Sequence, residues 1–256
     1  MPLIRTSLAD KIGTIAFDHD DKRNALGADL IAEMIAALDS FKADGARVVV
    51  LRSASGGKVW SAGHDVGELP RADVDPLPYS DPLEQLLRAV KAFPAPVIAM
   101  VHGSAWGGAC DLVMACDIVM GDETCAFAIT PAKLGLPYNV AGILNFMSRL
   151  PLTVAKEMFF SANLIPADRA ERVGIVNRVV PAAALEAETY AMAKTIASRS
   201  SKAIAASKEA MRVLSEAVPI NPATYEYLHG LRRDVYFCPD YHEGTAAFLE
   251  KRAPKF

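Results

Sequence analysis

The chain has 256 residues, 52% of them hydrophobic, enough for one sizeable core with room for a helical appendage. Lys and Arg number 27 against 30 Asp and Glu, with both signs spread along the chain, so the net charge of −3 gives no electrostatic case for nucleic acid. There is no N-terminal signal pattern and no apolar run of about eighteen residues, so no membrane association is expected and the cytosol is the expected compartment. The four cysteines, Cys110, Cys116, Cys125 and Cys238, make no Cys-x-x-Cys pair, and no histidine spacing completes a metal site. They read as reduced thiols, the first three in the core.

Residues 3–7 and 12–17 alternate as a hairpin, with Ala9-Asp10-Lys11 near the turn. A polar turn, residues 20–26, leads into a helix over 27–43, whose Leu30, Ile31, Met34, Ile35, Leu38 and Phe41 share one face. A strand follows at 48–52. Residues 69–82 hold four prolines and three aspartates and read as a mobile loop. Asp81-Pro82-Leu83 is a helix start, with proline in the first turn, and Pro94-Ala95-Pro96 stops that helix. Strands are expected at 97–101, 117–120 and 126–129. Beyond residue 150 the spacing predicts helices over 153–160, 166–173, 182–198, 203–214 and 222–249, interrupted by a strand at 175–180.

Two small-residue turns stand out. Gly103-Ser104-Ala105-Trp106-Gly107-Gly108-Ala109-Cys110-Asp111 joins a buried strand to a buried helix, and its glycines allow a tight turn and a close approach. Glycines there can serve plain helix–strand packing. They can also aim the unpaired first amides of a helix at negative charge, including an oxyanion that develops during a reaction. About forty residues earlier, Ser61-Ala62-Gly63-His64-Asp65 follows another apolar strand and can aim a second amide at the same oxygen.

This pair of turns resembles the crotonase (enoyl-CoA hydratase/isomerase) superfamily. Residues 166–181 and 243–256 resemble further family segments, so the likeness runs end to end. No Gly-x-Gly-x-x-Gly is present, against a dinucleotide fold. The resemblance implies an α/β fold, the crotonase (ClpP-like) spiral of ββα units. Its core would span residues 1–195, with a helical C-terminal trimerisation region over 196–256. It implies an acyl-CoA thioester as substrate, no cofactor beyond the coenzyme A carried by the substrate, no metal, and a homotrimer or dimer of trimers.

The resemblance places the oxyanion donors at the backbone N–H of His64 and of Gly108. Losing one such donor costs about 3–4 kcal/mol of transition-state stabilisation. Hydratases of the family carry two glutamates, for the base and the acid that hydration requires. Here the first position is Asp111, one methylene shorter, and the second is Pro131, which cannot transfer a proton. A short acid in a first helical turn also has a purely structural use.

A decarboxylase needs less: loss of CO2 from a carboxylate beta to the thioester carbonyl yields the enolate directly. Residues 59–70 and 130–145 resemble the decarboxylating members of the superfamily that act on methylmalonyl-CoA. That likeness assigns Tyr138 to the substrate carboxylate and makes Thr130 a second polar contact. It implies Lys22, Arg23, Ala25, Ala62, Asp65 and Val66 around the CoA nucleotide, with Phe248 and Lys251 reaching CoA from a neighbouring subunit. The alternatives are a hydratase or isomerase using Asp111 as its only acid, and a non-catalytic acyl-CoA-binding subunit.

Overall fold

The computed structural model describes residues 2–70, 73–217 and 219–256. Strands β1 (Ile4–Ala9) and β2 (Ile12–Phe17) form an antiparallel hairpin. Its Asp10-Lys11 turn has φ of 51° and 63°, the left-handed pair that a two-residue type I′ hairpin turn requires. Helix α1 (Ala28–Ala43) buries Leu30, Ile31, Met34, Leu38 and Phe41.

A repeating unit then appears. Strand β3 (Val48–Ser53) is followed by a short strand, β4 (Val59–Ser61), and helix α2 (Pro82–Ala92). Strand β5 (Val97–Val101) is followed by β6 (Ser104–Trp106) and α3 (Gly108–Ala115). Strand β7 (Ile118–Asp122) is followed by β8 (Ala126–Ala128) and, after a 3-10 turn over Pro131–Leu134, by α4 (Val140–Met147). Next come α5 (Leu152–Ser161), β9 (Ile165–Pro166), α6 (Ala167–Val173) and β10 (Arg178–Val180). Four helices complete the chain: α7 (Ala182–Ala197), α8 (Ser201–Ser215), α9 (Pro222–Tyr236) and α10 (Pro239–Leu249).

The first strand of each unit joins one sheet, in the order β1-β2-β3-β5-β7-β10, and the second joins another, β4-β6-β8-β9. Apart from the β1–β2 and β8–β9 pairs, neighbours are parallel. Each unit is thus one turn of a coil, stacked on the last. Both faces of the larger sheet are buried, which is why β3 and β5 read as unbroken apolar runs. Val49, Leu51, Val97 and Ala99 pack into the main core with α1, α2 and α3. Val48, Val50, Ile98 and Met100 pack on the opposite face against Leu185 and Ala193 of α7. All four cysteines are free, three of them buried. No helix among the described residues is long and apolar enough to cross a membrane.

Three expectations need correction. The second-sheet strands β4 and β6 lie inside segments read from sequence as turns. The helix expected over 222–249 is two helices, broken at Cys238-Pro239: proline supplies no amide and pushes the preceding residue out of the helical region, and Cys238 sits at φ −89°, ψ 160°. The strand expected over 175–180 is only β10; Ile175 and Val176 are buried as core plugs instead. Of the segment 69–82, Arg71 and Ala72 lie outside the described residues. The remainder has no strand but is tied to the C-terminal helices, Tyr241 Oη donating to the Pro70 carbonyl at 2.7 Å and Arg232 pairing with Asp75 at 2.6 Å.

Candidate active site

Strands β4 and β6 are hydrogen-bonded neighbours, so the turns that leave them emerge side by side. Gly63, at φ +84°, passes so close to the second turn that a Cβ there would stand 2.2 Å from the Trp106 carbonyl oxygen and 3.0 Å from the Gly108 nitrogen. A Cβ on Gly108 would stand 3.2 Å from the His64 nitrogen. The two backbones therefore touch, as only glycine permits.

The first turn is held from the other side by residues 23–26. Ala62 N donates to Arg23 O, Leu26 N to Gly63 O and Asp65 N to Leu26 O. This parallel bridge uses the Gly63 carbonyl and the Asp65 N–H, on either side of His64, and leaves the N–H of His64 itself unspent. Gly108 is the first residue of α3, with no capping side chain, so its N–H is one of the helix's orphan donors. Neither N–H has an acceptor among the described residues, and both residues line the same cavity, of about 390 Å³.

That cavity is mostly apolar. Leu69, Leu77 and Leu83 form one wall and Leu134 and Leu136 another; Thr130, Pro131 and Tyr138 lie near the amides. The cationic lining residues are Arg23, Lys133 and Arg252. Lys133 Nζ stands 6.0 Å from the Trp106 ring centroid, in range of the indole face. No aspartate or glutamate is among the described lining residues.

Asp111 is wholly buried behind the cavity. Its Oδ2 accepts from Tyr138 Oη at 2.5 Å and its Oδ1 from Asn145 Nδ2 at 2.6 Å. Burial pushes the Asp111 carboxyl above the usual range, although both hydrogen bonds pull the other way. Burial and the neighbouring Asp111 push the Tyr138 phenol well up, so it stays neutral. The Tyr138 ring is held edge-on by Phe159, centroids 5.3 Å apart. Glu84 is a second buried acid, held by Asn139 Nδ2 and also pushed up by burial. The Thr130 hydroxyl makes no hydrogen bond among the described residues.

The His64 ring faces acceptors at both nitrogens, Asp65 O at 3.1 Å and Asp81 Oδ2 at 3.4 Å. Burial, the largest single cause, lowers its pKa; the Asp81 carboxylate, the Asp65 carbonyl and Glu68 together outweigh it, and the net shift is upward.

The five residues expected to carry chemistry thus come together, four lining the cavity and Asp111 one hydrogen bond behind it. The expected CoA contacts divide. Arg23, Ala62, Val66 and Phe248 line the cavity, whereas Lys22, Ala25, Asp65 and Lys251 do not. Lys22 Nζ instead pairs with Asp65 at 2.8 Å. Phe248 lines the cavity of its own chain because α10 packs onto the 131–134 turn, where a Cβ on Gly244 would strike Leu134.

Sequence reasoning missed Lys133, Arg252, Asn145 and the leucine wall. Lys133 lies two residues past Pro131, inside a segment already singled out, and Leu83 was read only as part of a helix start. Asn145 gave no signal of its own, because its role depends on where α4 packs.

A family model described as enoyl-CoA hydratase/isomerase matches residues 8–256. Methylmalonyl-CoA decarboxylase of Escherichia coli (strain K12) is 44% identical over 247 residues, 96% of this chain and 95% of that one. Carnitinyl-CoA dehydratase of Shigella flexneri is 35% identical over 242 residues, 91% of this chain and 90% of that one. The solved structure of methylmalonyl-CoA decarboxylase in complex with 2-nitronate-propionyl-CoA superposes with a TM-score of 0.97 at 43% identity, over 99% of this chain and 98% of that one. The complex with 2S-carboxypropyl CoA gives 0.97 at 42%, over 100% and 98%. By family model, relatives and fold together, the chain belongs to the enoyl-CoA hydratase/isomerase family and has the crotonase fold.

Proposed function

We propose that this protein decarboxylates methylmalonyl-CoA, or a close malonyl-type thioester, to the corresponding acyl-CoA. The observation that carries the reading is a pair of unspent amides facing a cavity that no described carboxylate lines. Hydration needs an acid and a base at the substrate. Asp111 is buried behind Tyr138, and Pro131 stands at the second acid position. Decarboxylation needs neither. The bond from Cα to the carboxylate breaks, CO2 leaves, and its electron pair moves into the thioester as an enolate. The His64 and Gly108 amides hold the enolate oxygen, each contributing about 3–4 kcal/mol. A proton then reaches Cα from water or from the nearby Thr130 hydroxyl, giving propionyl-CoA from methylmalonyl-CoA.

Tyr138 orients the departing carboxylate out of the carbonyl plane, where the breaking bond overlaps the π system. To donate to substrate its hydroxyl must receive from Asp111, and a neutral Asp111, favoured by burial, can supply that proton. The cationic lining residues Arg23, Lys133 and Arg252 suit the phosphates of CoA, and Phe248 its nucleotide end. The free cysteines fit a reducing compartment such as the cytosol. Exposed apolar side chains on the C-terminal helices support assembly as a trimer or dimer of trimers.

The purified protein should release CO2 from methylmalonyl-CoA and leave the absorbance of crotonyl-CoA unchanged. Tyr138→Phe should slow that release roughly 100-fold. Loss of crotonyl-CoA absorbance without CO2 release would return the chemistry to hydration.

A further inference from the structure

Helix α9 has one buried residue, and it is a cation: Arg232, 7% exposed. A helix that buries only a guanidinium contributes no apolar core, so the side chain's partner explains its position. That partner lies 157 positions earlier. Arg232 Nη1 donates to Asp75 Oδ2 at 3.0 Å and Nη2 to Asp75 Oδ1 at 2.6 Å, a two-pronged pair. Nη2 also lies 3.4 Å from the Leu77 carbonyl oxygen, and Nε is buried without a partner.

Asp75 Oδ1 in turn accepts from Leu77 N at 3.0 Å, which closes the turn that presents Leu77. Leu77, 6% exposed, lines the cavity beside Leu69 and Leu83. Residues 73–77 belong to no helix or strand, so no backbone ladder holds them.

We infer that Arg232 is a positioning residue that sets acyl-chain selectivity, by clamping the Asp75–Leu77 turn that lines the acyl cavity. The inference rests on the cavity being an acyl-CoA site. It places control of chain length on a C-terminal helix that contributes no residue to the cavity lining. A wall fixed by a planar, two-pronged pair cannot retreat to admit a longer chain. Without the pair, Asp75 is left without its cation and the Leu77 turn is free to shift outward.

The test is binding of propionyl-CoA and hexanoyl-CoA by titration calorimetry, which requires no turnover. Wild type should favour propionyl-CoA. Arg232→Met should shift the ratio toward hexanoyl-CoA by about tenfold, the scale on which an apolar pocket discriminates methylenes. Arg232→Lys, which keeps the charge but not the fork, should fall between. With methylmalonyl-CoA, Arg232→Met should raise KM about tenfold while kcat stays within about threefold, because the amides and Tyr138 are untouched. Should Arg232→Met fail to fold, Asp75→Asn weakens the same pair and should shift the ratio in the same direction. An unchanged ratio in whichever variant folds, or failure of wild type to bind either thioester, overturns the inference. Binding with the expected ratios but no CO2 release would overturn the proposed reaction and leave this inference standing.

Discussion

Gly108 is where packing and chemistry meet in one residue. A Cβ there would lie 2.6 Å from Leu83 Cδ2, a side-chain terminus that can rotate away, and 3.2 Å from the His64 nitrogen, which cannot. Gly108→Ala should therefore fold, since the position is helical, yet crowd the point where both amides converge. The expected result is a loss of about 10²–10³ in kcat for CO2 release, with the unfolding midpoint in urea little changed. Gly63→Ala should behave differently, because its Cβ would meet backbone, the Trp106 carbonyl oxygen, at 2.2 Å and at a left-handed φ. Asp111 offers a second residue-scale test. Its pKa is raised in the folded state above the ordinary 3.8. Its contribution to stability is then fully present below that value and lost as pH rises through the native value. Urea midpoints should fall in wild type as pH rises above 3.8 through the native value, and the fall should be smaller in Asp111→Asn; His102, shifted downward by burial, opposes the fall equally in both proteins. Glu84 and His64, both shifted upward, retain their share of the slope in that variant. An equal slope in both proteins would show that Asp111 keeps its charge when buried.

Among the elements, long periodic helices and the apolar strands β3 and β5 were legible, because burial on a single stripe or on both sheet faces leaves a direct pattern in the chain. Of the strands of the second sheet only β8 was, within the strand expected at 126–129; β4, β6 and β9 were not. Each has three residues or fewer, too short for alternation to register, and their pairing is decided by how one coil of the spiral stacks on the next. The amide turns were nevertheless legible, since a close backbone approach demands glycine and glycine is visible in sequence. Helix α4 was not read from the sequence; the structure shows it capped by Asn139. Asn139 Oδ1 accepts from Gly142 N at 2.6 Å, while Nδ2 donates to buried Glu84. Losing the cap costs about 1 kcal/mol, and leaving the Glu84 oxygen without its donor costs about 1–3 kcal/mol more. Asn139→Ala should accordingly lower unfolding free energy by roughly 2–4 kcal/mol. It should also reduce activity, because α4 carries Asn145, the second donor to Asp111.

At the scale of the whole molecule, several large apolar side chains remain exposed. Phe160 is 75% exposed beside Leu152 and Leu164, and Met211, Leu214 and Tyr227 project from α8 and α9. Single exposed leucines are ordinary, but several large apolar side chains on the later helices support the proposed assembly. Scattering measured on the eluting protein should give a mass three or six times 27.4 kDa at micromolar concentration. Phe160→Asp separates assembly from chain stability. In an isolated chain a substitution at so exposed a position changes stability by no more than about 0.5 kcal/mol. Within an interface the same charge is buried against a neighbour and should shift the mass toward the single chain. A wild-type mass of one chain would remove the assembly. A multiple unchanged by Phe160→Asp would keep the assembly but move its contact away from α5, toward the exposed faces of α8 and α9.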